Sequence, residues 1–263
     1  MHSSRQLGLL IATVLLSWGP MSSGALISQS REVLASSEPD YKIFLVRHGN
    51  TPANKVDLIQ GWLDVDPDLE KEDREIIYQL DEQGKQEAEN AANKLSEVPV
   101  GKIFSCPLGR ALETAKRIQL EHPGVDIVQN GDLKGLNFGN WQGQSVDLTR
   151  NKEVNWEDGK VHGGESTAEY QERTYKFLEE LLNDQAELKA PRNVIVSTHQ
   201  WSIKLMVEYF MSKEATKAKE VDLKKYQTGG SISEIQVWLN EKGNKARYHV
   251  QRFGEEADKK PLA

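Results

Sequence analysis

Arg47 and His48 stand side by side at the end of the apolar run Phe44-Leu45-Val46, with Gly49, Asn50 and Thr51 directly after them. A neutral imidazole is a nucleophile at neutral pH. A phosphoryl group taken onto it can be hydrolysed in a second step, which divides one difficult displacement into two. An arginine beside it can neutralise the phosphoryl oxygens with paired N–H donors. Gly49, lacking a Cβ, lets the backbone approach a bound anion closely. Taken alone, the triplet also fits a core histidine and a surface arginine at a strand end.

Two further segments carry compatible side chains. Ile103-Phe104-Ser105-Cys106-Pro107 reads as a strand and turn leading into a helix with Leu108, Leu112, Ala115 and Ile118 on one face. Arg110 falls in that helix's first turn, where the dipole disfavours a cation, so a nearby anion would offset the cost. Pairing with Glu113 or another surface acid is the plainer alternative. Asn193-Val194-Ile195-Val196-Ser197-Thr198 is another buried-type strand, with His199 at its carboxyl edge. Two strand-end histidines and two arginines make a phosphate pocket, with His199 donating a hydrogen bond as charge develops.

Such a pocket needs elements that gather their strand ends at one edge. Strands are expected at 42–46, 102–105, 126–129 and 193–198, alternating with helices at 82–97, 108–120, 166–187 and 201–211. Ser231 to Leu239 and Lys245 to Phe253 read as a terminal hairpin. The expected fold class is α/β, a three-layer sandwich with a mostly parallel central sheet, helices on both faces and a C-terminal hairpin. Of the 263 residues, 41–253 form one continuous pattern, enough for a single buried core, followed by a charged tail at 254–263. The first 25 residues read as a signal peptide, with Arg5 before an apolar run and Ser23-Gly24-Ala25 as a cleavage site, and 26–40 as a polar segment. A secreted or secretory-pathway protein is the expectation. A bipartite plastid signal is the alternative, because Ser28, Ser30, Ser36 and Ser37 follow.

In these motifs the chain resembles the histidine phosphatase superfamily, in the branch of phosphoglycerate mutases and related phosphatases. Arg47, His48, Gly49 and Thr51 match the opening motif, and the resemblance implies His48 as the phosphorylated nucleophile. Asn54 matches an asparagine near the phosphate, Gln60-Gly61 the following loop, Arg110 the second phosphate-binding arginine and Thr198-His199 the second histidine. Gly164-Glu165-Ser166 resembles a further motif. The implied activity is hydrolysis of phosphomonoesters through a phosphohistidine, with catalytic His48, Arg47, Arg110 and His199 and substrate-binding Thr51, Asn54, Gln60 and Gly61. Mutase-type phosphoryl transfer and non-catalytic binding of a phospholigand are the alternatives.

One departure touches the mechanism. Gly135 stands where the family places the glutamate that protonates the leaving oxygen. A general acid contributes about 10²–10⁴-fold, so its loss means a slower enzyme, a taste for good leaving groups, or an acid placed elsewhere. Glu165 and Asp132 are the candidates. Asp132 also fits a plain turn residue, and Glu165 a carboxylate at a helix amino end. Asn50 and Gln200 replace common family residues near the two histidines and bear on substrate choice. Asp64 to Leu80 is a long acidic loop, read as solvated, with repulsion of highly anionic substrates as the sharper option.

A formal net charge of −7 argues against nucleic acid and anionic lipid as partners, which require clustered cations. The expected partner is a phosphorylated small molecule. No cofactor or metal is implied, since no cysteine–histidine spacing suggests zinc. Cys106, the single cysteine, excludes an intramolecular disulfide and reads as a small buried residue. His162 reads as a polar loop residue, and Trp141 and Trp156 as packing aromatics. Oligomeric state is not legible.

Overall fold

Strand-forming runs that are apolar at every position, such as Ile43-Phe44-Leu45-Val46, belong to a sheet covered on both faces. The computed structural model describes residues 38–64, 76–147, 163–187, 191–213, 221–223, 227–239 and 246–257. In it β1 (Tyr41–Arg47), β2 (Val100–Ser105), β3 (Ile127–Gln129), β4 (Asn193–Thr198), β5 (Ile232–Leu239) and β6 (Ala246–Glu255) form one sheet. The strand order is β3-β2-β4-β1-β5-β6. β1 to β4 are parallel, whereas β5 runs antiparallel to β1 and pairs with β6 as the expected hairpin.

The helices are α1 (Pro52–Lys55), α2 (Glu82–Leu95), α3 (Gly109–Leu120), α4 (Thr167–Glu187) and α5 (Gln200–Lys213). Alternate residues of the central strands feed two cores. Ile43 and Leu45 with Val194 and Val196 pack against Phe177, Leu178, Leu181, Met206 and Phe210 of α4 and α5. Phe44, Val46 and Ile195 face the other way, toward Ala91, Ala92 and Leu95 of α2 and Ala115 and Ile118 of α3. Each strand therefore carries its period-two alternation into two separate apolar layers. Truncating a fully buried ring such as Phe44 would cost about 3–5 kcal/mol.

The elements depart from expectation in three places. α1 is an added helix, begun by Pro52 at its first position and a reciprocal capping pair of Thr51 and Asn54. Four residues give too short a period for a sequence pattern to register. Gly254 and Glu255, expected to begin the charged tail, are the last residues of β6, where Gly254 N–H donates to Ser233 Oγ at 2.9 Å. Gly49 meets protein, where a bound anion was expected: a Cβ there would run into the Gly84 backbone at the start of α2, and one on Gly84 would run into Asn50. The paired glycines let the catalytic loop lie directly on a helix end.

The signal peptide at 1–25, the polar segment as far as residue 37, most of the acidic loop, Trp156 and His162 lie outside the described residues. No helix among the described residues is long and apolar enough to cross a membrane.

Candidate active site

β4 is inserted between β1 and β2, although it follows both in the chain, and this brings two strand ends from distant sequence together. Arg47 is in register with Thr198, so His48 and His199 leave the sheet as neighbours. His48 N–H donates to the Thr198 carbonyl at 3.0 Å, and the two imidazole centroids are 5.1 Å apart with planes at 66°. Such a reversal of strand order opens a crevice at the carboxyl ends of the strands, where open α/β sheets bind ligands.

The local geometry fixes the chemical form of His48. Its Nδ1 lies 2.8 Å from the Gly49 carbonyl oxygen. A carbonyl accepts only, so Nδ1 carries the proton and Nε2 keeps the lone pair in the neutral ring. Burial, then the charges of Arg110 and Arg47, hold the His48 pKa well below its ordinary value. His199 is lowered in the same way, by burial first and Arg110 next. Both rings are neutral at pH 7.

Arg47 is held on the opposite side by β5 and the turn before it. Its N–H donates to Ser231, its carbonyl accepts from Gly230, and its guanidinium donates to the Gln227 carbonyl. Arg110 comes from the first turn of α3, whose N-cap residue Leu108 has no side-chain acceptor to offer; Asp64 Oδ2 accepts the Gly109 N–H at 2.8 Å instead. The Arg110 guanidinium is 1% exposed and donates to the carbonyls of Leu63 at 2.9 Å and Gly61 at 2.8 Å. Its Nε has no partner among the described residues, and burial lowers its pKa to about 10. Glu113, the plainer partner, pairs with Arg117 at 3.1 Å. Among the described residues Arg110 has carbonyl partners and no ion pair, and the nearby Asp64 charge only partly offsets its desolvation, which leaves room for an anion.

A cavity of about 420 Å³ opens onto Arg47, His48, Arg110 and His199. Asn54, Gln60 and Gly61 also line it, whereas Thr51 stands behind them. Thr51 N–H and Oγ donate to Asn54 Oδ1 at 3.1 and 3.0 Å, which turns the Asn54 amide NH₂ to other use. Gln60 is 8% exposed and its Oε1 has no partner among the described residues. Among the two substituted neighbours, Gln200 lines the cavity, but Asn50 is turned away and bonds Glu87 of α2 with both its N–H and its Nδ2 at 2.8 Å.

Neither acid candidate reaches the cavity lining. Glu165 forms a bidentate pair with Arg173 at 2.9 and 2.5 Å and accepts the Asn137 N–H at 2.8 Å. Asp132 lies beside Lys176 at 3.5 Å, in a turn capped by Asn130. Gly135 packs flat on His199, where an added Cβ would sit 3.3 Å from the ring. The loop that carries it is fastened by Arg173, which donates to the carbonyls of Asp132, Lys134 and Gly135 at 2.7–2.8 Å. Trp62 Nε1–H adds a bond to Gly135 O at 2.7 Å.

Arg173 and Trp62 carried no readable signal, because the loop carbonyls they fasten lie more than 35 positions away, and the Glu165 partner of Arg173 lies off its helix. Cys106 is buried, and its Sγ lies 3.1 Å from His199 Nε2, a contact its sequence position did not disclose. Burial raises its pKa to about 11, so it is a thiol and not a thiolate. Trp201, Leu136 and Phe138 wall the cavity beyond the histidines.

Comparison with known proteins agrees with this arrangement. The family model described as histidine phosphatase superfamily (branch 1) matches residues 43–245. A probable phosphoglycerate mutase GpmB of Escherichia fergusonii is 31% identical over 149 residues, covering 54% of this chain and 63% of that protein, less than two thirds of its length. Among solved structures, a mycobacterial glucosyl-3-phosphoglycerate phosphatase superposes with a TM-score of 0.63 at 20% identity, over 81% of this chain and 98% of that one. Bacillus stearothermophilus YhfR gives 0.62 at 22% identity, over 82% and 97%. These two show the shared fold.

Proposed function

The chain belongs to the histidine phosphatase superfamily, branch 1, and from that premise we propose that it hydrolyses phosphomonoesters through a phosphohistidine on His48. The observation that carries the reading is the neutral, Nδ1-protonated imidazole of His48 in one cavity with Arg47 and with the buried guanidinium of Arg110, which donates to the carbonyls of Leu63 and Gly61.

The ester phosphate enters the cavity between Arg47 and Arg110. His48 Nε2 attacks phosphorus in line, the P–O bond to the alcohol breaks, and the alkoxide leaves with a proton from solvent or from His199. The phosphate's charge raises the depressed pKa of His199, so that ring can take up a proton and donate to a phosphoryl oxygen. Water then attacks the phosphohistidine, the N–P bond breaks, and inorganic phosphate leaves with the imidazole restored. Arg47 and Arg110 neutralise the equatorial oxygens in both steps, and the Asn54 amide supplies a further donor.

Re-transfer of the phosphoryl group to a bound sugar acid is the second reading, favoured by the relative's description as a probable phosphoglycerate mutase. The test is phosphate release from a panel of phosphomonoesters by the intact protein and His48→Ala, with acid-labile phosphoprotein trapped on rapid quench. Release and labelling that both vanish in the variant support hydrolysis. Interconversion of phosphoglycerates without net release supports the mutase, and tight vanadate binding with no turnover marks a binding protein.

A further inference from the structure

A second cavity, of about 330 Å³, adjoins the catalytic one and shares Leu136 and Trp201 with it. Ala168, Tyr170 and Leu205 continue its wall, with Thr167 and Gln171 as its polar, uncharged members. Trp201 follows directly after Gln200 at the start of α5 and is 54% exposed, the largest exposed aromatic surface beside the site. Tyr170 contributes its ring, since its hydroxyl is already bonded to Ser202 Oγ at 2.8 Å. The two cavities together read as a phosphate end with an apolar gallery leading away from it.

The charges along this path are unequal. Among the described residues Arg47 and Arg110 are the only cations in either lining, and both sit at the phosphate end. Lys204 Nζ lies 5.5 Å from the Trp201 ring centroid but lines neither cavity. The single carboxylate in the linings is Asp57, on the one non-glycine residue with positive φ among those described, at 51°. An L-residue held in that conformation is strained, which is tolerated where surrounding structure fixes it.

Resting on the phosphatase reading, we propose that the substrate is a phosphomonoester of an uncharged, apolar and preferably aromatic alcohol. Its body crosses Leu136 and Trp201 into the second cavity. Three features agree on this class. Among the described residues the gallery offers mostly aromatic and aliphatic contact, with the uncharged Thr167 and Gln171, and no cation for a second anionic group. Asp57 repels an alcohol bearing a carboxylate. Gly135 places no carboxyl on the wall against His199, and a phenolic leaving oxygen needs protonation far less than an alkoxide does.

The experiment compares kcat/KM for phenyl phosphate, 2-naphthyl phosphate and 3-phosphoglycerate with the intact protein, His48→Ala, Trp201→Ala, Leu205→Ser and Asp57→Asn. Phenol and 2-naphthol are similar leaving groups, so their ratio reports contact and not electronics. Naphthyl phosphate is expected to exceed phenyl phosphate by about tenfold, the size of effect a hydrophobic pocket gives for small additions. Trp201→Ala should remove most of that ratio and Leu205→Ser part of it. Asp57→Asn should raise the 3-phosphoglycerate to phenyl phosphate ratio about threefold, the scale of one partly screened charge. His48-dependent release with no naphthyl preference, with a preference indifferent to Trp201, or with 3-phosphoglycerate as the best substrate overturns the proposal and leaves the phosphatase standing. Absence of His48-dependent release from every ester overturns both.

Discussion

Arg110 and Arg173 are both sunk into the loops around the catalytic edge, and they differ in what closes their charge. Arg173 meets a carboxylate, Glu165, and then spends its other donors on three carbonyls of one loop. Among the described residues Arg110 donates to the carbonyls of Leu63 and Gly61 and makes no ion pair, with Asp64 acting on it through its charge. A neutralised guanidinium is a fastening, since its energy lies in protein–protein bonds already made. An unneutralised one beside a nucleophile holds its attraction in reserve for a ligand. The same side chain serves as masonry in one place and as a receptor in the other.

The contrast can be broken from either side. His48→Ala should lower turnover about 10⁴-fold or more in steady-state phosphate release, because the covalent route itself is lost. Arg110→Met should follow at about 10²–10³-fold in kcat/KM, with the thermal transition little changed or raised, since the variant also removes a buried charge. Arg173→Met should invert that pattern. It should cost about 3 kcal/mol of stability in denaturant titration by stranding Glu165, with rate affected through the displaced Gly135 loop; Glu165→Gln in the same chain should recover part of it.

A fourth expectation concerns pH. His48 and His199 have folded pKa values below the ordinary one, so the unfolded chain binds more protons as pH falls through about 6.5. Stability from these rings is therefore complete above that pH and declines below it. The melting temperature of the free protein should fall between pH 7 and 5, and His48→Asn should flatten the decline. Smallest of all, Cys106→Ser keeps a hydroxyl near His199 and should change kcat by less than about tenfold.

Much of this site could be read before any coordinates. His48 and His199 were legible because each ends an apolar, β-branched run, a pattern with local causes. Arg110 was legible through its odd place in a helix's first turn. The pairing of Glu165, an acid candidate, was not legible because its partner, Arg173, lies eight residues on in a helix whose face the sequence does not orient toward the loop. Asn50 was expected to bear on the pocket, yet its side chain follows Glu87. The second cavity was not legible at all, since Leu136, Tyr170, Trp201 and Leu205 come from three segments that only packing brings together. Local backbone preference is written in neighbours, and the shape of a void is not.

The placing of β1 between β4 and β5 has a consequence for how the protein is made. His48 emerges early from the ribosome, but its backbone is tethered to Thr198, and the Arg47 guanidinium rests on Gln227, 180 positions later. Until β4 is synthesised, about three quarters of the way along the chain, β1 has neither of its sheet neighbours, and β5 follows later still. The nascent polypeptide thus carries His48 through most of translation before both strands that flank it exist.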